Sequence, residues 1–140
     1  MAPLTRSSKE TGFCVQRGKK VTNKLHRQDA IRSYCRIAYQ IAESHGWHEK
    51  ERTFGDYIAL FHSEISEALE AYREHPFIML SPNVDNGDKP EGVLVELADE
   101  LIRIFDFVGS YNLEEQFADA LERKMIYNIG RPHRHGEKAL

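Results

Sequence analysis

The sequence predicts an all-α domain, and two observations carry that prediction. Four segments repeat their apolar residues at helical spacing, and no useful stretch between them alternates with the period of two that marks a β-strand. A chain of 140 residues is long enough for one domain with a hydrophobic core but too short for two domains of ordinary size. We therefore expect a single all-α domain of four helices.

Start and stop signals bound the first two helices. The spacing predicts the first helix from about Asp29 to His45, and Gly46 ends it because glycine readily takes the left-handed conformation that closes a helix. The second helix is predicted to begin at Thr53, an N-cap residue with Asp56 three positions later. It is predicted to end at His75-Pro76, because proline cannot continue a helix.

Similar signals bound the other two helices. Pro90 is expected in the first turn of the third helix, which runs as far as Gly109. Asn112, with Glu115 three residues later, is predicted to form a capping box for the fourth helix, which runs to Gly130.

Charge divides the chain into a basic arm, an acidic body and a basic tail. Residues 1–24 hold six Lys or Arg against one Glu, a charge of +5, and residues 131–140 hold three against one, a charge of +2. Because the net charge of the chain is −3, residues 25–130 carry a charge of −10. We expect residues 1–26 to be a basic, flexible arm and residues 27–140 to be the domain. The acidic body predicts no nucleic-acid partner, because such binders gather Lys and Arg on the folded face. The negative charge of residues 25–130 suits cation binding, although acidic helices are also ordinary solvated surfaces.

Composition bears on location. With 41% hydrophobic and 29% charged residues, the chain is neither disordered nor a disulfide scaffold. No window holds the ~18 apolar residues of a transmembrane helix, and the N-terminus lacks the apolar core of a secretory signal. Cys14 and Cys35 are too far apart for a Cys-x-x-Cys motif and are expected to be free thiols. These observations predict a cytoplasmic protein with no membrane partner.

The most informative feature is a pair of acidic couplets, Glu64 with Glu67 and Glu96 with Asp99. Residues three apart share a helix face, and both couplets lie on the flank of an apolar stripe, so we expect them to be half-buried. Carboxylates that converge in a partly dry place repel each other unless a cation lies among them. Mg²⁺ prefers such oxygen ligands. The alternative is that each couplet is a solvated acidic face.

A basic group follows at the end of the fourth predicted helix. Lys124, Asn128 and Arg131 are spaced four and three residues apart, so they can point in one direction. Their side chains suit phosphate oxygens. The alternative is that cations at a helix C-terminus only satisfy the helix dipole.

A tryptophan and a histidine, Trp47 and His62, complete the set of candidate residues. Trp47, the only tryptophan, follows the first predicted helix and is either a core residue or a stacking surface for a nucleobase. His62 precedes the first couplet and is a candidate for orienting a carboxylate, although a lone helical histidine is more often only packed or exposed.

Taken together, these residues resemble the MazG-like family of the all-α nucleoside triphosphate pyrophosphohydrolases, whose pattern is Glu-x-x-Glu on one helix and Glu-x-x-Asp on the next. Further segments continue the likeness in the same order: Gly46-Trp47, Leu60 to Glu70, Lys89 to Gly92, Lys124-Met125, Asn128, Arg131-Pro132, Arg134-His135-Gly136 and Lys138. The resemblance covers about residues 28–138. Ser63 departs from the pattern, because many relatives carry a Glu directly before the first couplet.

The resemblance implies a four-helix bundle-like domain that forms homodimers or homotetramers, with a nucleotide pocket near the subunit contact. It implies hydrolysis of a nucleoside triphosphate between the α and β phosphates, with Mg²⁺ as cofactor and Mn²⁺ as a substitute. The implied metal ligands are Glu64, Glu67, Glu96 and Asp99. Glu64 or Glu67 would also take the proton of the attacking water. The implied substrate-binding residues are Lys124, Asn128, Arg131, Trp47 and His62.

Two classes of function remain open from the sequence. The first is the Mg²⁺-dependent pyrophosphohydrolase, and the second is a non-catalytic helical oligomer that binds nucleotides or a protein partner, a hypothesis motivated by Ser63. Oligomerisation is expected in either case. The third predicted helix carries Val95, Ile102 and Phe107 off its main apolar stripe, and a helix that is apolar on more than one face needs more than one packing partner.

Overall fold

The computed structural model describes residues 19–76, 79 and 90–132, with side chains from residue 26 onward, and all regular structure in those ranges is helical. The helices are α1 (Lys19–Ser44), α2 (Phe54–Glu74), α3 (Val93–Ser110) and α4 (Glu114–Ile129). The all-α prediction is therefore confirmed. None of these helices combines the length and the apolar character needed to cross a membrane.

Helix α1 begins at Lys19, ten residues before the predicted start at Asp29. Residues 19–28 contain neither Gly nor Pro, so nothing in them interrupts the helix, although they lack the apolar stripe on which the prediction was based. Residues 19–26, which the sequence assigned to the basic arm, thus belong to α1. Residues 1–18 of that arm, including Cys14, lie outside the described residues.

The predicted signals at the end of α1 and the start of α2 are present. Gly46 has a φ of +78°, and the N–H groups of Gly46 and Trp47 donate to the carbonyls of Glu43 and Ala42 at 3.0 Å each. This is the paired hydrogen bonding of a Schellman motif. At α2, the Asp56 N–H donates to Thr53 Oγ1 at 3.3 Å, and the Thr53 N–H donates to Asp56 Oδ2 at 2.7 Å, which confirms the capping box.

The predicted start of α3 is wrong. Pro90 does not enter the first turn, because Gly92 takes a φ of 115° and α3 begins only at Val93. In place of a side-chain cap, the Leu94 N–H donates to the carbonyl of Met79 at 2.9 Å, and this bond satisfies one backbone donor of the first turn.

The predicted capping box of Asn112 and Glu115 is also wrong. Leu113 precedes the first residue of α4, and no side chain caps that helix. Asn112 instead has a φ of 54°, its N–H donates to Gly109 O at 3.1 Å, and the Leu113 N–H donates to Val108 O at 3.0 Å. These bonds form a Schellman motif at the end of α3, and asparagine tolerates the left-handed conformation that this motif requires.

Helix α3 is the centre of the fold. Among the described residues it contacts α1, α2 and α4, whereas α2 contacts α3 alone. Helix α1 also packs on α4, and their facing surfaces carry ion pairs such as Arg32 Nε to Glu115 Oε2 at 2.8 Å and Arg27 Nη2 to Glu122 Oε1 at 3.0 Å. Exposed pairs of this kind add little stability. Apolar packing on α3 therefore holds the domain together.

Aromatic rings fill the contact between α2 and α3. The Phe107 ring lies 4.9 Å from the ring of Tyr57 and 6.2 Å from that of Phe61, and Tyr57 lies 6.3 Å from Tyr111, measured between centroids. The start of α2 thus faces the end of α3, and the two helices are antiparallel. Phe107, which was expected to need a second packing partner, finds it in α2 of the same chain.

The buried core is small, and large apolar side chains remain open. The buried apolar residues are Cys35, Ala38, Tyr57, Ala68, Val108 and Ala118. Six residues of α2 and α3, which we call the open apolar set, are each 41–52% exposed: Ile65, Leu69, Tyr72, Leu94, Leu97 and Leu101. Ile102 is exposed as well. On α3, the exposed apolar residues Leu94, Leu97 and Leu101 therefore belong to the main predicted apolar stripe, whereas Ile102 lies off that stripe.

Candidate functional site

The antiparallel packing of α2 and α3 brings three of the predicted acidic residues together. Glu64, Glu96 and Asp99 each offer a carboxylate oxygen, and these oxygens all lie within 4.8 Å of one another. We call these three residues the acidic cluster. Glu64 and Glu96 are only 3% and 8% exposed, and Asp99 is half-buried. The two couplets thus meet across the α2–α3 contact, as their spacing allows.

Glu64 is buried because of its register on α2. It is seven residues after Tyr57 and four before Ala68, and both of these side chains are buried against α3. Glu64 therefore occupies a position inside the packed stripe and not on its flank. A carboxylate at such a position carries a large desolvation cost and needs compensating partners.

Glu67 does not belong to the acidic cluster. It is exposed, one turn after Glu64, and its carboxylate is not among the oxygens that converge. Half-burial of both couplets was expected, but the first couplet is divided between a buried and an exposed acid. Glu96 and Asp99 are also three residues apart and both reach the cluster, so spacing alone does not decide the outcome; it depends on which side of the apolar stripe the neighbouring helix covers.

Arg103 is a partner of the cluster that the sequence analysis did not identify. Its Nε lies 2.6 Å from Glu64 Oε1, and the arginine side chain is 30% exposed. Arg103 follows Asp99 by four residues and Glu96 by seven, so all three share a face of α3. That spacing was a signal available in the sequence.

Glu100 adds a further carboxylate beside the cluster. Burial raises the pKa of Glu100, and the negative charge of Glu64 raises it further. Its Oε2 is buried and has no hydrogen-bond partner among the residues that the structure describes. The positive charges of His62 and Arg103 act in the opposite direction and lower the pKa of Glu100.

Trp47 stands at the edge of this site. The Schellman motif at Gly46 directs the chain so that the indole remains 49% exposed. The guanidinium carbons of Arg52 and Arg103 lie 5.5 Å and 5.7 Å from the indole centroid, within the range of a cation–π contact. The prediction that Trp47 is a core residue is therefore wrong, and its role as a stacking surface stays a prediction.

Two histidines differ in what surrounds them. His62, the predicted orienting group, is exposed, and its charge acts to lower the pKa of Glu100. His48 was not predicted to have a role, but its Nε2 lies 2.7 Å from Asp106 Oδ1, and both side chains are largely buried. This contact fastens the segment that carries Trp47 to α3.

The predicted basic residues lie at the end of α4. Lys124 Nζ and the guanidinium carbon of Arg131 lie 5.2 Å and 5.8 Å from the ring centroid of Tyr127. Lys124, Tyr127 and Asn128 are exposed, and Arg131 is half-buried. Helix α4 makes no contact with α2 within the described ranges.

An open depression of about 410 Å³ lies elsewhere, between α1 and α4. Its lining residues are Gln28, Arg32, Glu115, Gln116 and Asp119. Arg32 is already paired with Glu115 there and with Asp29. This depression holds none of the predicted site residues.

A scan of protein-family models, a search of curated proteins and a search of solved structures each found no match to this chain. What the site does must therefore follow from its own geometry.

Proposed function

We propose that this chain is a Mg²⁺-dependent nucleoside triphosphate pyrophosphohydrolase that also accepts Mn²⁺. The observation that carries the proposal is the convergence of the Glu64, Glu96 and Asp99 carboxylates within 4.8 Å. The resemblance of the couplets and of the C-terminal residues to the MazG-like pattern points in the same direction. The reaction converts a nucleoside triphosphate and water into the nucleoside monophosphate and pyrophosphate.

The acidic cluster fits a hard divalent cation. Exposed acidic groups are common without any ion, but two of these three carboxylates are buried, and burial makes mutual repulsion expensive. Carboxylate oxygens are the ligands that Mg²⁺ prefers, and Mg²⁺ is usually completed by waters and substrate phosphates. Glu64, Glu96 and Asp99 would hold the ion.

A metal ion held by Glu64, Glu96 and Asp99 would withdraw charge from the phosphates and lower the pKa of a water. Glu67 is then suited to accept the proton of the attacking water, because it is exposed and lies one turn from Glu64. Lys124, Asn128 and Arg131 bind the phosphate or sugar oxygens. Trp47 stacks on the base, and the exposed His62 lies two residues before Glu64 on α2.

We further propose that the active form is a homodimer or homotetramer in which a neighbouring chain supplies the basic residues. Two observations support this: α2 and α4 do not touch within one chain, and the open apolar set leaves α2 and α3 uncovered next to the acidic cluster. A second copy would bury these apolar side chains and bring its own α4 to the substrate.

The test is a panel of common and modified nucleoside triphosphates, incubated with the full chain and Mg²⁺, with the products separated by chromatography. We expect monophosphate and pyrophosphate from at least one substrate, and no turnover after chelation of the metal. Asp99→Asn should abolish turnover, whereas Asp119→Asn, which changes a surface partner of Arg123, should not. Release of diphosphate and inorganic phosphate would refute the proposed bond cleavage.

A second candidate function is a non-catalytic nucleotide- or protein-binding oligomer. It is favoured by Ser63, whose hydroxyl donates to Leu60 O at 2.8 Å and lies 3.5 Å from Glu64 Oε1, at the position where the resembled family often carries a further Glu. The nucleotide-binding form of this function predicts nucleotide binding without turnover, and the protein-binding form predicts neither binding nor turnover across the panel. Isothermal titration calorimetry beside the product assay separates the two functions.

A further inference from the structure

Arg103 occupies a position that the proposed reaction does not explain. Its guanidinium contacts the most buried carboxylate of the acidic cluster at 2.6 Å, and it also lies against the ring of Trp47 at 5.7 Å. This salt bridge joins α3 to α2 at the acidic cluster. A permanent cation at Glu64 and a divalent cation at the same carboxylate would repel each other at close range.

We propose that Arg103 takes the place of the divalent cation at Glu64 and must release this carboxylate before the metal binds, so that Arg103 sets the metal affinity of the site. The inference rests on the proposed metal-dependent function. It identifies Arg103 as a positioning residue, because it acts through Glu64 and not on the substrate.

The surroundings of Arg103 allow such an exchange. The side chain is 30% exposed, so the guanidinium has a route to solvent, whereas Glu64 at 4% side-chain exposure is held in place by the packing of α2 on α3. Trp47 offers the released guanidinium a second partner, since an arginine stacks well on an indole face. The moving group is therefore the arginine, and the fixed group is the glutamate.

An opposing account makes the opposite prediction. If Arg103 were a permanent support that holds Glu64 in the geometry of a metal ligand, removing it would loosen the ligand and weaken metal binding. If Arg103 competes with the metal, removing it frees Glu64 and strengthens metal binding. The sign of the change in affinity decides between the two accounts.

The experiment measures Mn²⁺ affinity by isothermal titration calorimetry on metal-free full-length protein. Arg103→Gln should bind Mn²⁺ more tightly than the wild type, by about tenfold if Glu64 is free of Arg103 in a tenth of the wild-type molecules. Arg103→Lys keeps a competing charge and should remain close to the wild type. The matched control is Arg123→Gln, which removes a surface arginine paired with Asp119 and should change nothing. An unchanged or weaker affinity in Arg103→Gln would overturn the inference.

A measurement on the wild type covers the case in which Arg103→Gln fails to fold. Trp47 is the only tryptophan, so its fluorescence reports the nearby guanidinium directly. Titration with Mg²⁺ should change the Trp47 emission as Arg103 leaves Glu64. Emission that stays constant while calorimetry shows Mg²⁺ binding would contradict the exchange.

The failure of this inference can be told apart from the failure of the proposed function. If the wild type binds Mn²⁺ and hydrolyses a nucleotide, but Arg103→Gln binds no more tightly, only the role of Arg103 is refuted. If neither protein binds Mn²⁺, the metal site and the role of Arg103 are refuted together. If Arg103→Gln alone binds Mn²⁺, competition by Arg103 is supported even where the wild type is inactive.

Discussion

At the residue scale, the two acids of the first couplet should have separable roles. Glu64→Gln removes a buried member of the acidic cluster and should lower Mn²⁺ affinity by about tenfold or more. Glu67→Gln changes an exposed acid outside the cluster, so it should leave Mn²⁺ affinity intact but lower turnover by about 100-fold or more, the usual contribution of a general base. Calorimetry and steady-state kinetics on both variants measure the two effects.

Glu70→Gln is a matched control for these substitutions, since Glu70 is another exposed acid on α2 that is assigned no role. A variant of Glu67 that loses metal affinity as strongly as the Glu64 variant would mean that Glu67 is a ligand, as the resemblance implies. Normal turnover in Glu67→Gln would remove it from the site altogether.

Cys35 should be inert to thiol reagents in the folded protein. Its side chain is fully buried, and burial raises its pKa to about 11 from an ordinary value of 9.0. A Cys14→Ser variant leaves Cys35 as the sole thiol, and it should react with a disulfide reagent at pH 8 only after denaturant is added. Rapid reaction of the native variant would contradict the burial of this residue.

The same pKa shift gives a sign to the pH dependence. Because the folded state favours the neutral thiol, the unfolded chain loses its proton first, and the stability contribution that is complete below pH 9 is lost as the pH rises toward 11. Cys35→Ala should lack this part of the alkaline decline. Denaturant melts of both proteins between pH 8 and pH 11 measure it.

The sequence predicted that four acidic residues converge, and three of them do so in the structure. Glu64, Glu96 and Asp99 converge because the i, i+3 spacing and the apolar stripe placed them near a helix contact. The sequence could not place Glu67, because half-burial of a couplet depends on which side of the stripe the neighbouring helix covers. It also could not pair Arg103 with Glu64, since that contact joins two helices whose register is set by aromatic packing.

At the scale of the helices, the capping box at the start of α2 should contribute measurably to stability. Thr53→Ala removes the side-chain acceptor of the Asp56 N–H and should cost about 1 kcal/mol of unfolding free energy. Thr53→Ser keeps the hydroxyl and is the control. Chemical denaturation followed by circular dichroism gives the difference, and equal stability of the wild type and Thr53→Ala would show that the cap contributes nothing.

This box also has a defined pH dependence. Hydrogen bonds from the Thr53 side chain and backbone lower the pKa of Asp56 below its ordinary 3.8. A lowered folded pKa means that the stabilisation is complete above pH 3.8 and is lost as the pH falls through the lower, folded value. The contribution of Asp56 to stability should therefore be present at pH 7 and decline only in strong acid.

The crossing of α1 and α3 should be sensitive to a single methyl group. A Cβ added at Gly109 would lie 2.5 Å from Cys35 O and 2.7 Å from Tyr39 Cβ, so the helices would have to separate. Gly109→Ala should destabilise the fold by about 1–3 kcal/mol, the usual cost of overpacking. Gly55→Ala is the matched control, because its Cβ would meet only Thr53 Oγ1 at 3.6 Å.

The control should change stability in the opposite direction. Gly55 lies in the first turn of α2 with a helical backbone, and alanine there reduces the conformational freedom of the unfolded chain, so Gly55→Ala should be neutral or stabilising. Thermal melts of the two variants give the comparison. If both substitutions had the same effect, the close approach at Gly109 would have no energetic consequence.

Helix boundaries show where sequence signals are reliable. The prediction for Gly46 is confirmed, because a glycine directly after an apolar stripe commonly takes the left-handed conformation that ends a helix. The prediction for Thr53 and Asp56 is confirmed as well, because the two residues have the spacing of a capping box. The sequence predicts Asn112 at the start of α4, but in the structure this residue closes the end of α3. The same residue type suits an N-cap and a left-handed C-terminal position, and only the tertiary turn between α3 and α4 decides between them.

At the scale of the whole molecule, the exposed apolar side chains bear on the proposed assembly. The open apolar set lies on α2 and α3, and at the end of α4 Met125 and Ile129 are also exposed. A second chain that packed on these side chains would remove apolar surface from water. In the proposed assembly, the partner is a second copy of the same chain, and the acidic cluster and the basic residues of each active site come from different copies.

This assembly makes a test by subunit mixing possible. Asp99→Asn inactivates the acidic cluster, and Lys124→Ala combined with Arg131→Ala inactivates the basic group, so each variant should be inactive alone. If the site spans two chains of a dimer, a mixed dimer has one site in which both contributions are intact. Random mixing at equal amounts should therefore restore about a quarter of the wild-type activity.

A site formed within one chain predicts a different result, because every chain in the mixture then carries a defect and activity stays at the level of the variants. Light scattering on the wild type should give at least a dimer at micromolar concentration. Leu97→Asp, which places a charge in the open apolar set, should lower the mass and abolish the restoration of activity on mixing. A monomeric wild type would refute both the assembly and the shared site, whereas a stable oligomer without restoration would refute only the sharing. The exposed apolar surface and the separation of α2 from α4 would then need different explanations.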